Sequence, residues 1–163
     1  MSAAREAPAV DLSMLLNQAG YALANRMSAA LEELGISVRV YCVLAKAAEG
    51  GHTQSRLAEL AFMDKTTMVV TVDELERRGL AERRLSPSDR RVRLVEVTPE
   101  GRELLARADR IVQALHDDIL GAVGARDRDA FLGVLQQLVA GPLAAPFHLE
   151  KPSTRRRGQR NAA

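Results

Sequence analysis

From Asp11 to Leu34 apolar side chains recur in steps of three and four: Leu12, Leu15, Leu16, Ala19, Leu23, Met27, Ala30, Leu31 and Leu34. Such steps put them on one stripe of a long helix, and Gly35 is suited to end it. A second stripe, Val40, Val43, Leu44 and Ala47, predicts a helix over 38–48, capped by Ser37 and stopped by Gly50-Gly51. Thr53 caps a short helix through Leu60. After a turn of residues 61–63, Asp64 caps a further helix reaching Arg78, with Gly79 behind it. Residues 80–85 and 92–97 then read as two strands. They are joined by Ser86-Pro87-Ser88-Asp89, a turn because Pro fixes φ while Ser and Asp side chains bond nearby backbone. Thr98-Pro99 opens another long helix, whose apolar face holds Leu104, Leu105, Ala108, Ile111, Val112, Leu115, Ile119 and Leu120 until Gly121 and Gly124 break it. A last helix, 127–140, carries Phe131, Leu132, Leu135, Leu138 and Val139 and ends at Gly141-Pro142. Residues 1–10 and the polar tail, residues 148–163, are expected to be disordered.

The result is a mainly α chain with a small β wing. Two short helices across a tight turn make a helix-turn-helix, and the hairpin that follows makes it winged. Composition agrees with packed helices. Two Tyr, three Phe and no Trp leave an aliphatic core of Leu, Val and Ala. The single cysteine, Cys42, allows no intrachain disulfide and points to a reducing compartment. With no apolar leader and no run of about 18 apolar residues, a cytoplasmic location is expected and no membrane partner.

Charge changes the picture. The net charge is only +2, yet residues 76–93 hold seven Arg against Glu76, Glu82 and Asp89, and residues 149–163 hold five Lys or Arg against Glu150. Arg90, Arg91 and Arg93 crowd the tip and shoulder of the hairpin, where they repel one another unless an anion is brought to them. Double-stranded DNA meets that need. The second helix of a helix-turn-helix fits the major groove, and a wing arginine fits the minor groove, where the negative potential is strongest. Motifs for phosphate-binding loops, serine hydrolases and zinc hydrolases are missing, so no enzyme activity and no cofactor or metal is expected. His52, His116 and His148 are too scattered for a metal motif. The alternative is a winged helix serving as a protein-interaction module, though that role does not call for three arginines beside Asp89.

The run from His52 to Leu105 resembles the MarR family of winged-helix transcriptional regulators. The resemblance rests on LAEL, DKTT, VDELERRGL, the wing residues Asp89-Arg90-Arg91 and LVEVTPEG, and covers 38–106 closely. It implies a homodimer with residues 11–35 and 99–147 as dimerisation helices and 36–98 as the DNA-binding domain; the stripe with Leu115 and Ile119 either meets the second subunit or packs within the protomer. It also implies a pseudo-palindromic operator and, for many relatives, repression relieved by a small aromatic or phenolic ligand or by cysteine oxidation. Carried onto this sequence, the DNA-contacting residues are Gln54, Ser55, Lys65, Thr66, Thr67, Val70, Thr71, Ser86, Asp89, Arg90 and Arg91. Arg91 corresponds to the arginine that enters the minor groove, and Asp89, together with Asp73, to carboxylates bracing it by charge-assisted hydrogen bonds. The chain departs from the family in the middle of the recognition helix, where Met68-Val69-Val70-Thr71-Val72 stands in place of a polar residue and an arginine. Val69 and Val70 suit either thymine methyl groups or the core, and the pattern leaves both open. Tyr21, Arg26 and Tyr41 are candidates for lining an effector pocket, a role that ordinary packing of tyrosine at a helix interface explains equally well. Cys42, in mid-helix, reads as a small core thiol rather than a sensor.

Overall fold

The computed structural model describes residues 11–144, so the lead of residues 1–10 and the basic tail of residues 148–163 lie outside the described residues. The element order is α1 (Leu12–Leu31), a 3₁₀ turn (Glu32–Leu34), α2 (Val38–Ala48), α3 (Gln54–Leu60), α4 (Lys65–Arg77), β1 (Ala81–Leu85), β2 (Arg93–Val97), α5 (Pro99–Gly121) and α6 (Ala125–Ala140). Five of the six described α-helices start at a side chain that satisfies an orphan amide. Asp11 accepts from Met14, Ser37 from Val40, Thr53 from Arg56, Asp64 from Thr67 and Thr98 from Gly101. Such caps contribute about 1 kcal/mol each. The first apolar stripe does not run as one α-helix to Leu34: its last turn tightens to 3₁₀ and closes on Gly35 at φ 60°. The last helix starts two residues before the expected Asp127, because the Gly124 carbonyl accepts from both Asp127 and Arg128.

The core lies where α2, α3, α4, β2 and α5 converge on the C-terminal end of α1. Leu31, Val40, Val43, Leu44, Leu57, Met68, Val72, Leu75, Val95 and Val112 are buried there. Strands β1 and β2 pair antiparallel from Ala81 opposite Val97 to Leu85 opposite Arg93. The segment before α3 adds a third edge, with Thr53 bridging Leu94 and the Val95 amide donating to the His52 carbonyl at 3.0 Å. The base of the wing is locked to α5. The Thr98 amide donates to the Leu80 carbonyl at 3.1 Å and its hydroxyl to the Gly79 carbonyl at 2.7 Å. Gly101 in the first turn of α5 lies so close that a Cβ on it would sit 2.0 Å from the Leu80 carbonyl oxygen.

Leu115 packs against this core, the within-protomer alternative for that part of the α5 stripe. The apolar face without cover is elsewhere. Helix α1 buries only Met27 and Leu31, leaving Leu12, Met14, Leu15, Leu16, Tyr21 and Leu23 exposed. Helix α6 buries none of its residues and exposes Phe131, Leu132, Val134 and Val139.

Candidate nucleic-acid interface

Helix α4 divides into two faces at helical spacing. Met68, Thr71, Val72 and Leu75 point into the core, while Lys65, Thr66, Val69, Val70, Asp73 and Arg77 are exposed. The two valines on which the sequence is ambivalent therefore face outward. Thr71 is the opposite case: fully buried, with its hydroxyl donating to the Thr67 carbonyl at 2.7 Å. It turns its polar group back on its own helix and cannot reach a base, so the expectation for Thr71 is corrected. Thr67 is half-buried and serves the cap, its amide and hydroxyl both donating to Asp64. Those bonds hold the Asp64 carboxyl below the usual carboxylate range, the Thr67 hydroxyl first. Lys65 and Thr66, and Ser55 on α3, remain exposed on the outer surface.

The wing tip is closed by its own backbone. The Val92 amide donates to the Asp89 carbonyl and the Ser86 amide to the Val92 carbonyl. Asp89 accepts from the Arg91 amide at 2.9 Å, not from its guanidinium, so it shapes the turn and leaves the arginine head free. Ser86 is buried, its hydroxyl pairing with Ser88 at 3.0 Å, which makes it a turn residue rather than a DNA contact. Among the described residues, Arg90, Arg91 and Arg93 are exposed and form no ion pair.

Asp73 does not brace Arg91 either. It pairs at 2.7 Å with Arg83, a residue the sequence reading passed over. Arg83 on β1 also pairs with Glu76, its amide donates to Glu76 at 2.8 Å, and it donates through Nε and Nη2 to Gln54 Oε1 at 3.2 and 3.0 Å. One guanidinium thus ties the start of α3, the recognition helix and the wing together, and Gln54 is engaged in this clasp instead of facing outward. A signal for it exists in the strand pattern: alternation puts Arg83 on the same side of β1 as buried Ala81. Arg84 pairs with Glu82 and Glu96, and Arg78 with Glu74. Of the basic run, Arg77, Arg90, Arg91 and Arg93 are left without an acidic partner among the described residues, and Lys65 joins them at the head of α4.

The three candidate effector residues do not come together. Arg26 pairs with Asp118 of α5 at 2.7 Å, and the Tyr41 hydroxyl donates to Asp109 of α5 at 3.0 Å. Tyr21 stands exposed on α1. An open groove beside Tyr41 is lined by Asp109, Arg110, Val112, Gln113 and His116, and includes neither Tyr21 nor Arg26. Burial, then the bond to Asp109, pushes the Tyr41 hydroxyl up to about 12. Burial also pushes the Cys42 thiol up, Lys46 offsetting it only in part, which disfavours the reactive thiolate.

A helix-turn-helix with an exposed second helix, followed by a wing whose arginines have no internal partner, defines a winged-helix DNA-binding protein. The MarR family model matches residues 34–92. The chain is 32% identical over 118 residues to a transcriptional regulatory protein for the hcr operon of Thauera aromatica, covering 72% of this chain and 71% of that one. Its fold matches that of CouR from Rhodococcus jostii RHA1 bound to p-coumaroyl-CoA, at 35% identity and a TM-score of 0.75, over 84% of this chain and 96% of that one. A second CouR structure, bound to a 23-mer DNA duplex, matches at 30% identity and a TM-score of 0.72, over 79% and 92% of the two chains. The chain belongs to the MarR family of transcriptional regulators.

Proposed function

We propose that this protein is a cytoplasmic, homodimeric repressor that grips a pseudo-palindromic operator with two winged helices and releases it when a small aromatic effector binds. The observation that carries the DNA reading is the free basic rim. Lys65 and Arg77 lie at the two ends of the outward face of α4, and Arg90, Arg91 and Arg93 on the wing, all without an acidic partner among the described residues. Lys65, Thr66, Val70 and Ser55 face the major groove and its phosphates, and Arg91, beside Arg90, enters the minor groove. The uncovered faces of α1 and α6 support the dimer, since contiguous exposed apolar surface of this kind is normally covered by a partner, and a second copy is the commonest one. The effector class rests on CouR, whose ligand is an aromatic thioester; p-coumaroyl-CoA is the first probe.

The test is fluorescence anisotropy on the DNA upstream of the gene, with a scrambled fragment as control, across a salt series. Specific binding that weakens steeply with salt is expected. Arg91→Ala should weaken it about tenfold, the lower range for losing one base-reading contact, and leave thermal stability unchanged because Arg91 makes no side-chain bond. Equal weak binding of both fragments, with no sequence enriched from a random pool, would instead favour the protein-interaction module.

A further inference from the structure

The outward face of α4 carries two adjacent valines that stand largely exposed. Val69 is 43% exposed and Val70 54% exposed, while the helix already has its full inner stripe in Met68, Thr71, Val72 and Leu75. Neither valine is needed for the core. Nor does either help the helix, since β-branched residues lose side-chain freedom there. Around them stand Thr66 one turn before and Asp73 one turn after, and the Asp73 carboxylate is held by Arg83 at 2.7 Å. Between Lys65 and Arg77 the outward face therefore has no free guanidinium, ammonium or carboxamide. Guanine is read by a cationic fork and adenine by an amide, and the middle of this helix has neither to present. What two valines complement in the major groove is the 5-methyl group of thymine, the one apolar feature on a base edge there. The basic rim at both ends of the helix and along the wing brings the duplex to this face.

We infer that Val69 and Val70 select thymine in each half-site by packing on its 5-methyl group. The inference rests on the DNA reading proposed above and names what the middle of the recognition helix reads. It also makes the arginine-free centre of α4 a specificity element in its own right.

Deoxyuridine isolates the contact, because it pairs as thymine does and lacks only the methyl. The operator would be selected from a random duplex pool with the full-length protein, then each thymine replaced singly by deoxyuridine and binding measured by anisotropy at fixed salt. At one or two thymines per half-site, symmetrically placed, the dissociation constant should rise about fourfold for each methyl removed. In the Val69→Ala, Val70→Ala double variant the same replacements should have no effect. That variant keeps a good helix former at both exposed positions, so its fold is not at risk. A selected operator indifferent to deoxyuridine at every thymine overturns the thymine assignment while leaving the DNA reading intact. So does a penalty that persists unchanged in the double variant. If no sequence is enriched at all, the DNA reading itself falls and this inference with it.

Discussion

Replacing Gly101 by Ala sets two known effects against each other at one buried position. In an exposed helix the change stabilises by about 1 kcal/mol, because Gly has more backbone freedom to lose on folding. At Gly101 the new Cβ would lie 2.0 Å from the Leu80 carbonyl oxygen and 2.8 Å from a Val97 methyl. Ordinary contact requires more than an ångström of additional separation from that oxygen. The oxygen belongs to the backbone and is pinned by the Thr98 amide at 3.1 Å, so it cannot turn aside as a side chain would. Either α5 backs away from the wing base or the Thr98 bonds to Leu80 and Gly79 are broken. Overpacking of this kind costs about 3 kcal/mol, which leaves a net loss of about 2 kcal/mol after the helix gain. For a chain of this size that is a fall in melting temperature of about 4–8 °C. Melting should be followed by circular dichroism at one fixed protein concentration, since the proposed dimerisation would make the midpoint depend on it. An unchanged or raised midpoint would show that α5 is not held against Leu80 and that the lock between wing and helix is absent.

Three further outcomes are expected. Arg83→Met keeps the apolar stem but leaves Asp73 and Glu76 without their cation; because these groups are partly exposed, the loss should be about 1–2 kcal/mol. Faster amide exchange in β1 and weaker operator binding should accompany it, and an undisturbed wing would refute the clasp. Phe131→Glu with Val134→Glu, both more than half exposed on α6, should convert the proposed dimer to monomer in sedimentation, and a persisting dimer would move the interface elsewhere. Tyr41 is neutral in the fold up to about pH 12 against 10.0 for a free phenol, so its contribution to stability is present below pH 10 and lost as pH climbs from 10 to 12. Tyr41→Phe should remove the latest step of the tyrosinate absorbance titration and flatten that part of the stability profile, and an unaltered titration would contradict the burial of the hydroxyl.

Local chemistry was readable from the chain. Ser37, Thr53, Asp64 and Thr98 announce the starts of helices because a cap needs only a side chain and an amide three residues on. The hairpin was readable for the same reason. Thr71 was misassigned because its hydroxyl suggested a polar role, although steps from Met68 to Thr71, Val72 and Leu75 already put it on the inner stripe. Arg83 was hidden more deeply. Its partners Gln54, Asp73 and Glu76 lie 29, 10 and 7 residues away, and no short-range pattern joins them. The reverse problem affected Leu115: a long amphipathic helix shows that it has an apolar face but not which neighbour covers which part of it.

The Arg83 clasp has a geometric consequence for the operator. Because one side chain holds α3, α4 and β1 together, the recognition helix and the wing form callipers with a fixed opening. On the proposed DNA reading, base pairs read in the major groove and the narrow minor groove assigned to Arg91 must then stand at a set separation within each half-site. Inserting a single base pair between them shifts the second contact by about 3.4 Å along the duplex, and a clasped wing has no joint with which to follow it. On the same proposal, tolerance belongs at the centre of the palindrome, between the two copies, where only the dimer helices would have to flex.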